Sequence, residues 1–335
     1  MARVAGACLP LRAEFPVARR LTMRNAVVQS LVWIGLGIVA SGAELPSDQS
    51  TSPTKLLEVH TYCEGVVFDR EGRGYVSHGD RITQFRLDGT SRIWATTGSP
   101  NGHKILADGT HLVCDASRLA ILHLDANGTF LKNAVDRCEG QALQGPNDLT
   151  LDTPNSGFYF TDPGNSSRDN PVGTLIYVDA EGHAKLAAKG FAYPNGVVLT
   201  PDGKRILMAE SQQNRILEFP VESPGKLGEM RIFAKLPEKS GETQIDNQPD
   251  GMCLDAVGNL YVAHYGMKQV QVLDPTGKLI RRYDGGNVTT SNVAFGGPKH
   301  DQLFVTGGLA GGQSPGGLFR LDLGVPGLVI LPKTE

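Results

Sequence analysis

The sequence of 335 residues has little cysteine and no strong excess of charge of either sign. Its 5 cysteines form no Cys-x-x-Cys pair, which argues against a zinc knuckle or a thioredoxin-type redox site. The formal net charge of −3, without long runs of like charge, gives no reason to bind nucleic acid or an anionic membrane surface. We therefore expect a small-molecule partner; the oligomeric state stays open between a monomer and a homodimer.

Helical periodicity and several catalytic motifs are also missing. No stretch after residue 43 carries a convincing run of apolar residues at helical spacing. No glycine-rich phosphate loop marks a nucleotide site, and no His-Glu-x-x-His motif marks a zinc protease. These absences leave a strand-rich protein whose chemistry does not use a nucleotide.

Residues 1–43 are predicted to be an N-terminal extension and a secretory signal peptide. Arg24, next to a predicted true start at Met23, supplies the positive segment, residues 26–40 are apolar, and residues 41–43 are small. We expect a secreted or periplasmic protein that has no membrane contact after cleavage; a retained N-terminal anchor is the alternative. Residues 44–55 are predicted to be a polar tether.

The rest of the chain repeats one pattern six times. A residue with a side-chain oxygen, usually followed by glycine, leads into a short apolar run, a turn and a second apolar run. The copies begin 37 to 55 residues apart, close to the length of a propeller blade. Their first residues are Glu64, Asn101, Asn147, Asn195, Asp250 and Asn292.

A third alternating run, ending in Asp-Gly or a similar turn, follows most copies and indicates antiparallel hairpins. The 41 glycines and 20 prolines fit a chain with many tight turns. We predict an all-β fold, a six-bladed β-propeller of four-stranded antiparallel blades, in a single domain over residues 56–332.

The first residues of the six copies predict a metal site. In a propeller the innermost strands surround the central channel, so equivalent positions of six blades converge on one axis. Carboxylate and amide oxygens suit a hard cation such as Ca²⁺. The alternative is that Asn-Gly and Asp-Gly are plain turn dipeptides, although Glu64 is a poor turn residue.

A second layer of polar residues follows the second apolar run of each copy. A rim of titratable groups above a metal could bind a polyol or transfer protons. Solvated strand ends are the alternative interpretation. The set comprises His78, Asp115, Asp162, Glu210, His264 and Thr306, of which His264 is the most suggestive.

Several passages resemble the senescence-marker-protein/gluconolactonase/luciferin-regenerating-enzyme-like family. They include Glu64-Gly-Val-Val-Phe-Asp, Gly145-Pro-Asn-Asp-Leu, Tyr193-Pro-Asn-Gly-Val and Gln248-Pro-Asp-Gly-Met. The resemblance covers residues 56–330 and implies a six-bladed propeller with one catalytic divalent metal in its channel.

This resemblance implies a role for each matching position. Glu64, Asn195 and Asp250 would be metal ligands, with Asn147 a ligand or a substrate contact. Asp250 would also be the base that steers water, and Asn101 would bind substrate. The hypothesis adds Asp148 and His264 as hydrogen-bond partners of sugar hydroxyls.

The implied function is a metal-dependent lactonase, a hydrolase that opens glucono-1,5-lactone or a similar sugar lactone to the aldonic acid. Ca²⁺ is the expected cofactor, with Zn²⁺, Mn²⁺ or Mg²⁺ as alternatives. A phosphotriesterase or paraoxonase-like esterase, or a non-enzymatic binding propeller, would use the same scaffold. Gly145, where some members carry arginine, and Asp115 depart from the family at positions that face substrate.

The cysteines after the leader leave one question open. Cys114 and Cys253 lie in apolar runs typical of buried strands. A disulfide between Cys63 and Cys138 is compatible with export, but residue spacing cannot establish the pairing.

Overall fold

The computed structural model describes residues 44–239, 247–310 and 314–330. The predicted signal peptide lies outside these residues. Six sheets of four principal antiparallel strands account for nearly all regular structure in the described part. Its helical segments are short 3-10 turns at Asp48–Ser50, Thr153–Asn155 and Ser211–Gln213. The prediction of an all-β, six-bladed propeller is confirmed.

The first three blades follow one another along the chain. The N-terminal strand is β1 (Thr54–Val59). The first blade contains β2 (Cys63–Phe68), β3 (Gly74–His78), β4 (Arg81–Phe85) and β5 (Ser91–Thr96). The second contains β6 (Pro100–Ile105), β7 (His111–Asp115), β8 (Ala120–Leu124) and β9 (Phe130–Val135), before a small hairpin of β10 (Arg137–Cys138) and β11 (Gln141–Ala142). The third contains β12 (Leu149–Asp152), β13 (Gly157–Asp162), β14 (Gly173–Val178) and β15 (Ala184–Phe191).

The last three blades repeat this arrangement. The fourth contains β16 (Pro194–Leu199), β17 (Arg205–Glu210), β18 (Arg215–Ser223), the short β19 (Lys226–Leu227) and β20 (Arg231–Lys235). The fifth contains β21 (Gln248–Leu254), β22 (Leu260–Tyr265), β23 (Gln269–Leu273) and β24 (Leu279–Asp284). The sixth contains β25 (Thr289–Gly296), β26 (Gln302–Gly308) and β27 (Gly316–Asp322).

The first strand of each blade forms the inner wall. Each such strand contacts its counterpart in the next blade, and β25 contacts β2, so the six strands close a ring around one axis. β1 completes the sixth blade by pairing with β27, from Thr54 opposite Arg320 to Val59 opposite Gly316. Both ends of the propeller sequence therefore meet in one sheet, which leaves no open edge between the first and last blades.

The predicted tether is more ordered than expected. Its last two residues, Thr54 and Lys55, belong to β1 and pair with β27. Further upstream, Tyr283 Oη donates a hydrogen bond of 2.8 Å to the Pro46 carbonyl. The segment docks because its backbone supplies acceptors and a strand to the outer side of the fifth and sixth blades.

Apolar and aromatic side chains pack the faces of neighbouring blades against one another. Phe68 and Phe304 join the first and sixth blades with ring centroids 4.4 Å apart. Tyr261 and Phe295 join the fifth and sixth blades at 5.0 Å in an edge-to-face arrangement. Burying each large apolar side chain contributes about 1.5–3 kcal/mol. The buried residues form six clusters, each between two neighbouring blades, rather than one central mass.

The four described cysteines are free thiols, so no disulfide joins Cys63 to Cys138. Cys63 is fully buried, and its Sγ donates toward the carbonyl oxygens of Gly307 and Gly317. Cys114 is buried as predicted, whereas Cys253 keeps partial exposure. No helix in the described ranges is long and apolar enough to span a membrane.

Candidate metal centre and active site

The predicted Glu-Gly, Asn-Gly and Asp-Gly dipeptides lie at β-bulges of the innermost strands. In four blades the pairing with the second strand slips at the dipeptide, as between Cys63 and Val66 or between Pro249 and Met252. A bulge leaves a residue outside the ladder and re-aims its side chain. The turn interpretation is therefore wrong for the dipeptides beginning at Glu64, Asn101, Asn195 and Asp250.

The glycine of each dipeptide permits close approach of neighbouring blades. A Cβ atom on Gly65 would overlap the Asn101 carbonyl oxygen, and one on Gly196 would overlap that of Asp250. Backbone is harder to displace than a flexible side chain, so no larger residue fits. The glycines therefore hold the residues that precede them close together around the axis.

Two blades place a larger residue where the others have this glycine. Asp148 and Asn292 each accept a hydrogen bond of 2.8 Å from the next backbone N–H, at Leu149 and Val293. Asn292 thus corresponds to Asp148, and Ser291 takes the position that the other blades fill with Glu64, Asn101, Asn147, Asn195 and Asp250. We call these six residues the ring. The prediction that Asn292 leads the sixth copy is wrong by one residue, because the bulge of β25 lies at Ser291.

Glu64, Asn195 and Asp250 lie together on the inner wall. Burial raises the pKa of Glu64 well above its usual range, followed by the charges of Asp250 and Asp148. Burial and then the charge of Asp148 raise the pKa of Asp250, while a hydrogen bond to Asn195 opposes this rise. Two carboxyl groups and one amide from three blades therefore share one environment that disfavours uncompensated negative charge.

These residues fit a hard divalent cation. Glu64 keeps partial exposure as a residue, but its Oε2 is buried and has no hydrogen-bond partner. A buried carboxylate oxygen without a partner is costly, and a cation would satisfy it. Asn195 and Asn147, both largely buried, add neutral oxygens of the type that Ca²⁺ accepts.

Asn147 and Asn101 line the same wall. Asn147 N donates to the Thr161 carbonyl, and a side-chain hydrogen bond joins Asn147 to Tyr193. Asn101 keeps partial exposure, and its carbonyl lies against Gly65. Asn101 therefore follows Glu64 around the inner wall, and Asn147 is joined to a tyrosine that the charges of Asp250 and Glu64 reach.

Two tyrosines lie at the ring that sequence reasoning did not single out. Burial raises the pKa of Tyr62, and so do the charges of Glu64 and Asp250. Burial, Asp250 and Glu64 raise the pKa of Tyr193 to about 12. A signal was available in the sequence, since each tyrosine stands two positions before a predicted ligand.

A comparison with known protein families identifies the chain. Residues 63–308 match the family model described as the SMP-30/Gluconolactonase/LRE-like region. The chain belongs to this family. The pentonolactonase XacC of Haloferax volcanii is 30% identical over 282 residues, 77% of this chain and 92% of the relative.

Two further proteins are similar to this chain. A gluconolactonase of Xanthomonas campestris has a structure similar to this chain, with a TM-score of 0.70 at 25% identity, covering 83% of this chain and 91% of that one. The diisopropyl-fluorophosphatase of Loligo vulgaris is 24% identical over 252 residues, 67% of this chain and 78% of the relative.

Asp148 lies behind the ring rather than open to solvent. It is 2% exposed, and its two carboxylate oxygens accept from the backbone N–H groups of Leu149 and Val197. Lys104 Nζ lies 3.9 Å from Asp148 Oδ1. The protein thus already occupies the oxygens that were expected to bind sugar hydroxyls, and Lys104, which the sequence did not reveal, offsets the buried charge.

His264 offers no exposed atom to a substrate. It is completely buried, and its Nε2 and Nδ1 face Asn214 Oδ1 at 3.0 Å and Gln271 Nε2 at 3.2 Å. Burial, then the charges of Lys239 and Arg282, lower its pKa to about 3. The prediction that His264 contacts sugar hydroxyls is not supported, because both ring nitrogens are engaged within the protein.

Other members of the predicted second layer brace the loops that precede the inner strands. Asp115 accepts from the backbone N–H groups of Gly98 and Ser99, and Asp162 accepts from that of Gln144. Glu210 accepts from Ala192 N at 2.8 Å. These carboxylates position the ring residues through the backbone and do not form a proton-transferring rim.

Two other sequence patterns are not part of the candidate metal site of this SMP-30/gluconolactonase member. Within the described residues, Asp179, Glu181 and His183 bring their ligand atoms within 4.8 Å of one another. They lie in the turn between β14 and β15, where Asp179 Oδ1 accepts from the N–H groups of the other two. Ser314 lies in a Gly-x-Ser-x-Gly match but is exposed and leads into a strand, not the helix that a nucleophile elbow requires.

Proposed function

We propose that this protein is a metal-dependent hydrolase that opens a sugar lactone such as glucono-1,5-lactone to its aldonic acid. One observation carries the proposal: Glu64, Asn195 and Asp250 from three blades share a buried site in which Glu64 Oε2 lacks a partner. Relatives in the same family, including XacC and the Xanthomonas protein, are named as lactonases.

The residues of the site have two proposed roles, binding a cation and binding the substrate. Glu64, Asn195 and Asp250 would hold Ca²⁺, with Asn147 as a further ligand or a substrate contact. When bound, a divalent cation polarises the lactone carbonyl and stabilises negative charge on its oxygen. Asn101 and Asn147 would donate hydrogen bonds to the hydroxyl groups of the sugar.

Asp250 is the proposed base. Its hydrogen bond to Asn195 fixes the orientation of the carboxylate. It accepts a proton as water adds to the carbonyl carbon; the ring C–O bond then breaks, and the released ring oxygen takes up a proton. The product has one water more than the lactone, which balances the reaction.

A chelator experiment with matched variants tests this function. Hydrolysis of glucono-1,5-lactone, corrected for its spontaneous rate, should be lost in EDTA and restored by Ca²⁺. Glu64→Gln and Asp250→Asn should each lower kcat/KM by at least about a hundredfold, because each removes a charged ligand. Glu58→Gln is the control and should keep full activity, because Glu58 belongs to an exposed ion pair with Lys55 on β1.

Phosphotriester hydrolysis is the second candidate, favoured by the likeness to diisopropyl-fluorophosphatase. The site chemistry does not distinguish the two, because a phosphoryl oxygen and a lactone carbonyl are both polarised by a cation. A substrate panel of glucono-1,5-lactone and diisopropyl fluorophosphate does. Activity on diisopropyl fluorophosphate alone would replace the lactonase proposal. Activity that resists chelation would overturn the metal mechanism, and inactivity on the whole panel would favour a binding propeller.

Export to the periplasm or the medium remains part of the proposal.

A further inference from the structure

Tyrosine has an uneven distribution in this chain. Of the eight tyrosines, five are buried in the core. The three that keep partial exposure are Tyr62, Tyr193 and Tyr265. Tyr62 and Tyr265 pack edge to face with ring centroids 6.4 Å apart, so all three adjoin the ring of candidate ligands. Partial exposure at the mouth of a site is the condition under which a tyrosine can touch a ligand.

Tyr62 and Tyr193 stand on opposite sides of the axis. Each lies two residues before a ring residue, in the first and fourth blades, and blades three apart in a ring of six face each other. The other blades carry small or polar residues at this position: Ser99, Gly145, Gln248 and Thr289. Apart from its chain neighbours, Gly145 has no atom within 4 Å of the place of a Cβ, so the third blade leaves open space at this position.

Tyr193 is held in a conformation that a bulky residue rarely adopts. Its φ is +61°, in the left-handed region that favours glycine. Tyr193 N donates to Ser166 Oγ at 3.0 Å, and Tyr193 O accepts from Ser211 N at 3.0 Å. With the side-chain hydrogen bond to Asn147, these contacts fix the phenol beside a candidate substrate-binding amide.

Tyr62 has a hydrogen-bonding role that can be derived by counting protons. A side-chain hydrogen bond joins it to Ser291, whose Oγ lies 2.6 Å from the Cys63 carbonyl oxygen. A carbonyl cannot donate, so the single Ser291 proton points to Cys63. Ser291 Oγ, which also lies 3.0 Å from Thr306 Oγ1, can then only accept from the neighbouring hydroxyl groups. Tyr62 therefore donates its proton to Ser291, which leaves the phenol oxygen as an acceptor.

We propose that Tyr62 and Tyr193 are specificity-determining residues that hold a neutral, polyhydroxylated lactone between them above the ring. Tyr62 accepts a hydrogen bond from a sugar hydroxyl, and Tyr193 supports Asn147 and contacts the opposite edge of the sugar. The open space at Gly145 accommodates the rest of the ligand. The inference deepens and rests on the proposed lactonase function.

Phenylalanine variants and two lactones test the pair. Tyr62→Phe and Tyr193→Phe keep the aromatic side chain and remove only its hydroxyl group. Each should lower kcat/KM for glucono-1,5-lactone about tenfold, mainly through KM, as expected for one lost hydrogen bond. The fall should be smaller for δ-valerolactone, which has no hydroxyl groups. Tyr283→Phe is the control: its hydroxyl bonds to Pro46 on the outer side, and its rates should match wild type on both lactones.

A binding measurement separates this proposal from the proposed function. Calorimetry with 1,5-anhydroglucitol, which has sugar hydroxyls and no carbonyl, should give about tenfold weaker binding to both variants than to wild type. If wild type binds this polyol in a tyrosine-dependent manner yet hydrolyses neither lactone, the pair stands and the lactonase proposal falls. If wild type is a lactonase and the kcat/KM of the variants falls equally on both lactones, or does not fall, the proposed role of the two tyrosines is refuted. Failure to bind or hydrolyse overturns both.

Discussion

At the scale of single residues, polar groups in the inner wall are held by specific partners rather than by solvent. Lys104 lies against Asp148, and Glu64 Oε2 is left for a cation. His103 and His111, both in the second blade, form a different kind of pair where this blade packs against the first. His103 Nε2 and His111 Nδ1 are 2.7 Å apart, and both rings pack on Trp94 and Tyr75. One nitrogen must donate and the other accept, which a neutral ring on each side allows.

This histidine pair predicts a loss of stability in mild acid. Burial lowers the pKa of His111 to about 4 and that of His103 well below its usual range. An unfolded histidine titrates near 6.5, so between about pH 6.5 and 4 the unfolded chain binds protons that the folded chain does not. The free energy of unfolding should therefore fall as the pH is lowered from about 6.5 to 4. His111 alone should contribute on the order of 3 kcal/mol to this fall.

Urea unfolding at a series of pH values checks the prediction. His111→Gln should show a shallower loss of stability from pH 6.5 to 4 than wild type. His183→Gln, at an exposed turn, is the matched control and should follow the wild-type curve. A His111→Gln curve parallel to wild type would contradict the assignment.

At the scale of the strand, one device recurs in four inner strands: a bulge whose glycine lets the next blade approach. Sequence reasoning predicted these residues at the entry of the inner strands because the dipeptide recurs in register with two apolar runs. It could not distinguish the bulge from a turn, since both use Asn-Gly and Asp-Gly. It also misplaced the sixth copy, because Ser291 gives no dipeptide signal and Asn292 imitates one.

The bulge glycine predicts the effect of a single methyl group. In Gly196→Ala the new Cβ would overlap the backbone carbonyl of Asp250. We expect the free energy of unfolding to fall by about 1–3 kcal/mol, together with weaker Ca²⁺ binding, because Asp250 must move. Gly228→Ala is the control: its nearest contacts are side-chain atoms of Pro220 and Glu222 at 3.3 Å or more. Equal stability and metal affinity in the two variants, measured by urea unfolding and calorimetry, would exclude this function of the glycine.

At the scale of the molecule, the fold was predictable and the details of the site were less so. Six repeats of alternating apolar runs require six sheets, and the ring is the arrangement that buries every sheet face. The side-chain partners of His264 and Asp148 were not predictable, because they come from residues distant in sequence: Asn214 for the first and Lys104 for the second. Family resemblance named the ring residues without revealing which oxygens the protein itself satisfies.

The central claim is that oxygens from separate blades meet on the axis and hold one cation. Calorimetric titration of the protein with Ca²⁺, after removal of metal with a chelator, tests it most directly. We predict one site per chain, weakened at least about a hundredfold by Glu64→Gln or Asp250→Asn. Asp179→Asn, in the exposed acidic turn, should leave it unchanged. Undiminished binding in the two ring variants, or loss of binding in Asp179→Asn, would contradict the account.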